Sequence, residues 1–450
     1  MEQLKNLTVS EILLKISKIA MLSSQIAGYL PLSVNHEDHQ NSPLKKSRHK
    51  NLLTHSLTSI PTMSSFLGLF VIIGWTTLYY SIFKPKIQFV RIFGPTESFA
   101  YTMIVIMGST AGIILRLGAF RKGEVNFFQD NCNLLQNFED RDLKVSEMRE
   151  ISKIPRYINI SFSAYFIPLV IHCILVHGVH PMMAYYKFGK WHPDIVYTIG
   201  SGFWVFWSYL LISNLWIILF PRLYSACYKE ISKNISMKFQ NGIHQPIKSN
   251  YFLSEIWKPQ SKNGDVNQRQ KIFENIYGNK NLGKITHDAA LESKVEDYLE
   301  LILNLGKMIE KFNKVFGERL MLEMITCITF IVLYAFFGCF WLNRGNIRVI
   351  GEVITPLYVN GKKLIELGYS CGSISNEAQV AMKTLINNVP LDKLSLKMCR
   401  KIRLIQIQLE SSPPTVSAKQ FFTISRGSVT TVLQGMAGFL VALVQFRRGE

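Results

Sequence analysis

The chain has 450 residues, 48% apolar and 12% aromatic but only 18% charged, with 50 Lys and Arg against 31 Asp and Glu. Soluble domains carry about 25% charged residues, so this composition leans away from a soluble protein and toward a membrane one. The net charge of +19 comes with no basic-aromatic module of the kind that grips nucleic acid, so no nucleic-acid partner is expected.

Residues 1–60 open with an amphipathic stretch, EILLKISKIAMLSSQIAGYLPL, and end in the basic cluster Lys45, Lys46, Arg48 and Lys50. This pattern predicts a cytoplasmic N-terminal segment lying on the inner membrane surface. Lys5, Lys15 and Lys18 interrupt any apolar core of a cleavable signal peptide. Six uncharged blocks then pass the test of roughly 18 residues for a transmembrane helix. They run from Ser64 to Phe83, Ser98 to Leu115, Tyr157 to Tyr186, Ile195 to Pro221, Met324 to Asn343 and Gly427 to Phe446. The first four form a block of transmembrane helices over residues 61–221.

The cytoplasmic stretch 222–319 has two characters. Residues 239–287 are rich in Asn, Gln, Lys and Gly without periodicity and read as a flexible loop. From Asp288 the apolar residues Leu291, Val295, Tyr298, Ile302, Leu305, Ile309, Phe312 and Phe316 recur at steps of four and three. That is the seam of a long helix running into the fifth span. It fits either packing on its own subunit or a stalk that bundles with symmetry mates.

Residues 320–372 hold the fifth span and a weaker sixth, VIGEVITPLYVNGKKLIELGYSCGSI, burdened by Glu352, Lys362, Lys363 and Glu366. Hydropathy does not decide that sixth span, but charge asymmetry does, because Lys and Arg stay on the cytoplasmic side. The loops at 1–60, 116–156, 222–319 and 373–426 carry seven, eight, sixteen and eight of them. Loops 84–97, 187–194 and 343–348 and the tail after Phe446 carry three, two, two and two. Seven spans put all the rich loops on one side, 39 against 9; six would strand segment 373–426 outside. The reading is an all-α membrane protein of seven transmembrane helices, N-terminus cytoplasmic and C-terminus extracellular, with a cytoplasmic helical stalk. On this topology none of the seven cysteines, and none of the Asn-x-Ser/Thr sites at Asn6, Asn159 and Asn234, falls in an outer loop, so no exposed disulfide is expected.

The last span, 427–446, carries one stripe unlike a lipid-facing surface. Gly427, Thr431, Gln434, Gly438, Ala442 and Gln445 are spaced 4, 3, 4, 4 and 3 residues apart, which puts them on one helix face. Alone, the stripe fits a close-packing face of small residues or a wall that meets water, since buried amides in lipid need a partner.

At these residues the chain resembles the insect gustatory receptors, whose last span carries a Thr-Tyr, five apolar residues and Gln-Phe. The matching stretch is Gly438-Phe439, Leu440 to Val444, then Gln445-Phe446; the family's two hydroxyls are absent here. VSAKQFFTISRG upstream is similar to the family's approach to that helix, CGSISNEAQ at Cys371 to Gln379 to its segment after the sixth span, and ISKIAMLSSQIAGYLPL to its opening. The resemblance implies a taste receptor of the plasma membrane that is a tetrameric, ligand-gated, non-selective cation channel. It implies four copies of the last span around one pore, Gln445 and Phe446 forming the extracellular gate, and homotetramers or heterotetramers with related receptors. A ring of Phe gates by steric closure and dewetting. Leu440 stands where the sugar-receptor branch commonly places Glu, which argues against that branch.

The partners expected are membrane lipid and a small-molecule tastant. The outer halves of the spans hold Tyr101, His172, Trp204, Tyr334, Trp341 and Glu352, groups able to line a site for a small amphipathic ligand. The aromatic residues equally fit an interfacial belt, and Glu352 equally fits a helix-terminal carboxylate beside Arg348. His172, His177 and His180 lack the i, i+4 spacing of a helical metal site, and no cofactor motif or catalytic array is present, so neither metal, cofactor nor enzyme activity is expected. A G-protein-coupled receptor would need the opposite orientation, and a transporter would predict internal repeats.

Overall fold

The computed structural model describes residues 123–141, 143, 148–172, 174, 215–240, 289–341 and 347–448, with single or paired positions before residue 111. Two-residue strands β1 (Ser33–Val34) and β2 (Leu53–Thr54) pair antiparallel. The other described elements are almost all helical: α1 (Gly123–Glu139), α2 (Arg149–His172), α3 (Leu215–Gln240), α4 (Ala289–Trp341), α5 (Ile347–Asn388), α6 (Leu396–Ser411) and α7 (Arg426–Arg448). A short hairpin of β3 (Ser417–Ala418) and β4 (Phe422–Thr423) precedes α7. Among the described residues, Arg149–Ile171 and Ala289–Cys339 are long and apolar enough to cross a membrane by length and composition. The expected first two spans, and residues 241–288, lie outside the described residues.

Two compact units divide the chain: residues 1–227, 305–375 and 414–450 form one, 228–304 and 376–413 the other. In the first, α1, α3 and α4 meet at a cluster of rings. Phe127 stands edge-on to Phe220 at 4.8 Å and to Phe316 at 5.2 Å, and Phe128 edge-on to Phe220 at 5.3 Å. The buried Tyr224 hydroxyl donates to Asn131 Oδ1 at 2.9 Å, which spares that polar group the cost of burial without a partner. α1 forms inside the basic loop 116–156, where charge counting predicts topology but not structure.

The second unit joins parts of α3, α4 and α5 with α6. Tyr228 donates to the Ile302 carbonyl at 3.3 Å, Ser232 and Thr384 share a hydrogen bond at 2.9 Å, and Lys229 pairs with Glu377 at 3.5 Å. α6 starts at Ser395, whose side chain accepts from the Met398 amide, an N-cap that satisfies one orphan donor. It buries Met398, Ile402, Ile405 and Leu409.

α4 is one unbroken helix of 53 residues that includes the whole predicted seam. Val295, Tyr298, Ile302, Leu305, Ile309, Phe312 and Phe316 are all buried within the chain. Of the two readings open for the seam, packing on its own subunit is the one observed. α5 continues sixteen residues past the expected end of the sixth span at 372, to Asn388.

Candidate functional site

α7 begins with a reciprocal cap. Ser425 Oγ accepts from the Ser428 amide at 3.1 Å, while the Ser425 amide donates to Ser428 Oγ at 2.8 Å. Two donors that a helix start would leave orphaned are thereby satisfied. The Arg426 guanidinium lies over the Tyr369 ring of α5, 4.7 Å from its centroid.

One side of α7 is packed against its own subunit. Val429 and Met436 are buried, and Val432, Leu440 and Val444 half-buried. Gly427, Thr431, Gln434, Gly438 and Gln445 are exposed and Ala442 is half-buried. At about 100° per residue, these six centre about 180° from the packed side. Within the subunit, the polar stripe is therefore the face that packs least.

The close approach that small residues allow occurs on α5 instead. A Cβ added at Gly368 would lie 2.5 Å from Val429 Cγ2, and one at Gly372 would lie 3.0 Å from the Arg426 amide nitrogen. A Cβ at Gly438 would meet nothing within 4 Å. The Thr431 hydroxyl donates back to the Gly427 carbonyl at 3.1 Å. Phe446 ends the motif on the last turn of α7, about 100° round the helix from Gln445; its side chain lies outside the described residues.

Beside this helix is a half-buried polar hub on α5. The Glu366 carboxylate accepts from Tyr157 at 3.2 Å, from Ser161 at 2.7 Å and from Tyr165 at 2.6 Å, and forms an ion pair with Lys362. Tyr157, Ser161 and Tyr165 stand one above another on successive turns of α2. Lys362 also donates to Ser161 at 3.1 Å and lies 3.9 Å from the Tyr165 ring centroid. The Arg222 guanidinium of α3 stacks over Tyr157 at 3.3 Å, a cation held by a ring face. One residue on from Lys362, Lys363 pairs with Glu323 of α4, their side chains 5% and 1% exposed. Three of the charges that burden the sixth span in sequence, Lys362, Lys363 and Glu366, are thus paired or hydrogen-bonded inside the protein, as burial requires.

The sequence reading weighed Lys362, Lys363 and Glu366 only as obstacles to a membrane span, and missed Tyr157, Ser161, Tyr165 and Arg222. The i, i+4, i+8 spacing of Tyr157, Ser161 and Tyr165 within an apolar block was the available signal. Of the residues expected to face a ligand, Tyr101 and Trp204 lie outside the described residues. His172, Trp341 and Glu352 lie on α2, α4 and α5, with side chains outside the described ones. Tyr334 is half-buried on α4, its ring edge-on to Phe330 at 6.1 Å.

The model of the 7tm chemosensory receptor family matches residues 23–448, nearly the whole chain and both ends of the helical array. The chain belongs to that family. The receptor is similar to Gustatory and odorant receptor 22 of Anopheles gambiae, 22% identical over 164 residues, which cover 34% of the receptor and 33% of that relative. The aligned part therefore spans a third of the relative's length. In fold the receptor is similar to the insect olfactory receptor OR5 of Machilis hrabei, solved alone and in complex with eugenol. The TM-scores are 0.61 and 0.62 at 11% identity, covering 95% of the receptor and 97% of OR5. The receptor thus has the all-α, seven-span architecture of the insect chemosensory receptors, and it is a membrane protein.

Proposed function

We propose that the receptor is a ligand-gated, non-selective cation channel of the plasma membrane, opened by a small-molecule tastant. In this reading four subunits, identical or mixed with related receptors, surround one pore lined by α7. The supporting observation is the polar stripe of α7, exposed on the side of the helix opposite its own subunit. An amide exposed to hydrocarbon lacks hydrogen-bond partners, so Gln434 and Gln445 are better accommodated by water on a central axis than by lipid. Thr431, Gly438 and Ala442 add a narrow wall of small or polar groups. Gln445 and Phe446 form the outer gate, with the N-terminus inside as the distribution of Lys and Arg favours. The tastant binds among Tyr101, His172, Trp204, Tyr334, Trp341 and Glu352 in the outer half of the bundle. An olfactory receptor of the same fold, solved with eugenol, and a gustatory and odorant relative support a small organic ligand.

The test replaces residues 434 to 445 one at a time by cysteine, in a background without the exposed native Cys339. Reaction with a membrane-impermeant cationic thiol reagent reports which positions meet water, because a thiolate forms in water and not in lipid. With the gate opened by a second change, Phe446→Ala, reactivity should recur at 434, 438, 442 and 445. Reactivity without a helical period, or none at all, would show that α7 does not line a pore.

A further inference from the structure

We propose that the hub at Glu366 restrains the pore helix, with Glu366 acting as a positioning residue that holds the gate closed through α5. This rests on the pore reading of α7. Glu366 gathers donors from three successive turns of α2, Tyr157, Ser161 and Tyr165, and from Lys362 on its own helix. Hydrogen bonds to a charged group are about twice as strong as neutral ones. Breaking them inside the protein also leaves a carboxylate unpaired, which is strongly unfavourable. α2 therefore cannot slip along α5 at this level by small steps; several bonds break together or none do.

The opposite side of α5 carries the pore helix. Gly368 and Gly372 follow Glu366 by two and six residues, about 200° and 240° round the helix. At both, the backbone of α5 comes so close to α7 that a Cβ would lie 2.5 Å from Val429 Cγ2 or 3.0 Å from the Arg426 nitrogen. A movement of α5 cannot be absorbed at a contact that tight. It displaces the first turns of α7. A second polar tie, Lys363 to Glu323, fixes α5 to α4 at the same height, and Arg222 stacked on Tyr157 brings in α3. Four helices are thus registered by side chains clustered within two turns of the close crossing of α5 and α7 at Gly368 and Gly372. The hub is all-or-none, and the pore helix is coupled to it without slack.

The experiment uses the full chain on intact cells, without ligand, in the Cys339-free background. A single cysteine is placed at Gln434 or at Arg448, and the probe is an impermeant cationic methanethiosulfonate. Residue 448 lies beyond Phe446 on the outer side and is reached whether or not the pore is open. Residue 434 lies about 21 Å deeper and is reached only through an open gate. Glu366→Gln should raise the reaction rate at 434 by about tenfold, the worth of one charged hydrogen bond, and leave the rate at 448 unchanged. Tyr165→Phe, which keeps the ring and removes one donor to the carboxylate, should raise it by about tenfold as well; it decides the matter alone if Glu366→Gln does not reach the surface. An unchanged rate at 434, or an equal rise at 434 and 448, overturns the restraint while leaving the pore reading intact. A parent protein in which neither cysteine reacts overturns the pore reading and the restraint with it.

Discussion

Gln445 and Phe446 are neighbours in sequence with different parts in the proposed pore. A Phe ring closes a constriction by filling it and expelling water, whereas a Gln amide offers polar atoms to whatever passes. Phe446→Ala removes one ring from each of the surrounding subunits and should let cations leak without ligand, raising resting permeability by about tenfold or more. Gln445→Ala should leave the resting permeability as it is and change conductance or ion preference once the gate is open. Leu443→Ala, off the stripe, should change neither. Whole-cell current in ligand-free medium checks all three. The native thiols bear on such work in different ways. Cys132 is buried on α1, and burial pushes its pKa up to about 12, so almost none of it is thiolate at neutral pH and it should not react. Cys339 is exposed on the subunit surface, and its removal from the scanning background keeps it from contributing. The stripe at 427 to 445 was legible because a single helix carries it and helical period reveals it. The hub was not legible, because apart from Lys362 on its own helix Glu366 finds its partners some 200 residues away on α2, and no local pattern pairs them.

The element that joins α4 to α7 shows the same division. The period of the α4 seam is written in its apolar residues, and a helix of 53 residues follows from it. The hairpin at 417–423 has no such period, and its turn runs against propensity. Lys419 and Gln420 hold φ of 50° and 63°, where Gly or Asn is preferred, at a cost of order 1–3 kcal/mol each. α4 supplies the compensation. Asn313 donates to the Thr415 carbonyl at 2.8 Å and accepts from the Ser417 amide at 2.9 Å, and Lys419 pairs with Glu318 at 2.8 Å. A Cβ at Gly317 would lie 2.9 Å from the Lys419 nitrogen, so only glycine lets the turn sit against the helix. Asn313→Ala removes two hydrogen bonds to the backbone of the hairpin. It should lower stability by about 2 kcal/mol, read as a lower melting temperature of the purified receptor. Lys419→Ala breaks only an exposed ion pair, which contributes little, and should leave that temperature nearly unchanged. Equal effects from the two changes would show that Asn313 is not what fixes the hairpin.

At the scale of the whole molecule, the family match and the fold agree with seven spans, and the reason the sixth is possible is now physical. Hydropathy scores Lys362, Lys363 and Glu366 as though each met lipid alone. Inside the protein, Lys362 meets Glu366 and Lys363 meets Glu323, so α5 presents hydrocarbon with far less charge than its sequence shows. Charge counting reached the right number of spans because Lys and Arg in the loops answer to the membrane potential and the anionic inner leaflet, not to packing. What it predicts beyond the number of spans is orientation, and this leads to a direct measurement. With 39 Lys and Arg in the loops on one side and 9 on the other, inverting the receptor would move thirty more positive groups to the outer face. A peptide tag placed before Met1 should therefore stain only after cells are permeabilised, and one placed after Glu450 should stain on intact cells. An odd number of spans requires the two tags to lie on opposite sides. Staining of both tags on one side would remove a span from the array and leave the basic segment 373–426 across the membrane from the other rich loops. The first candidate to be withdrawn would then be α5, and with it the link from Glu366 to the pore helix.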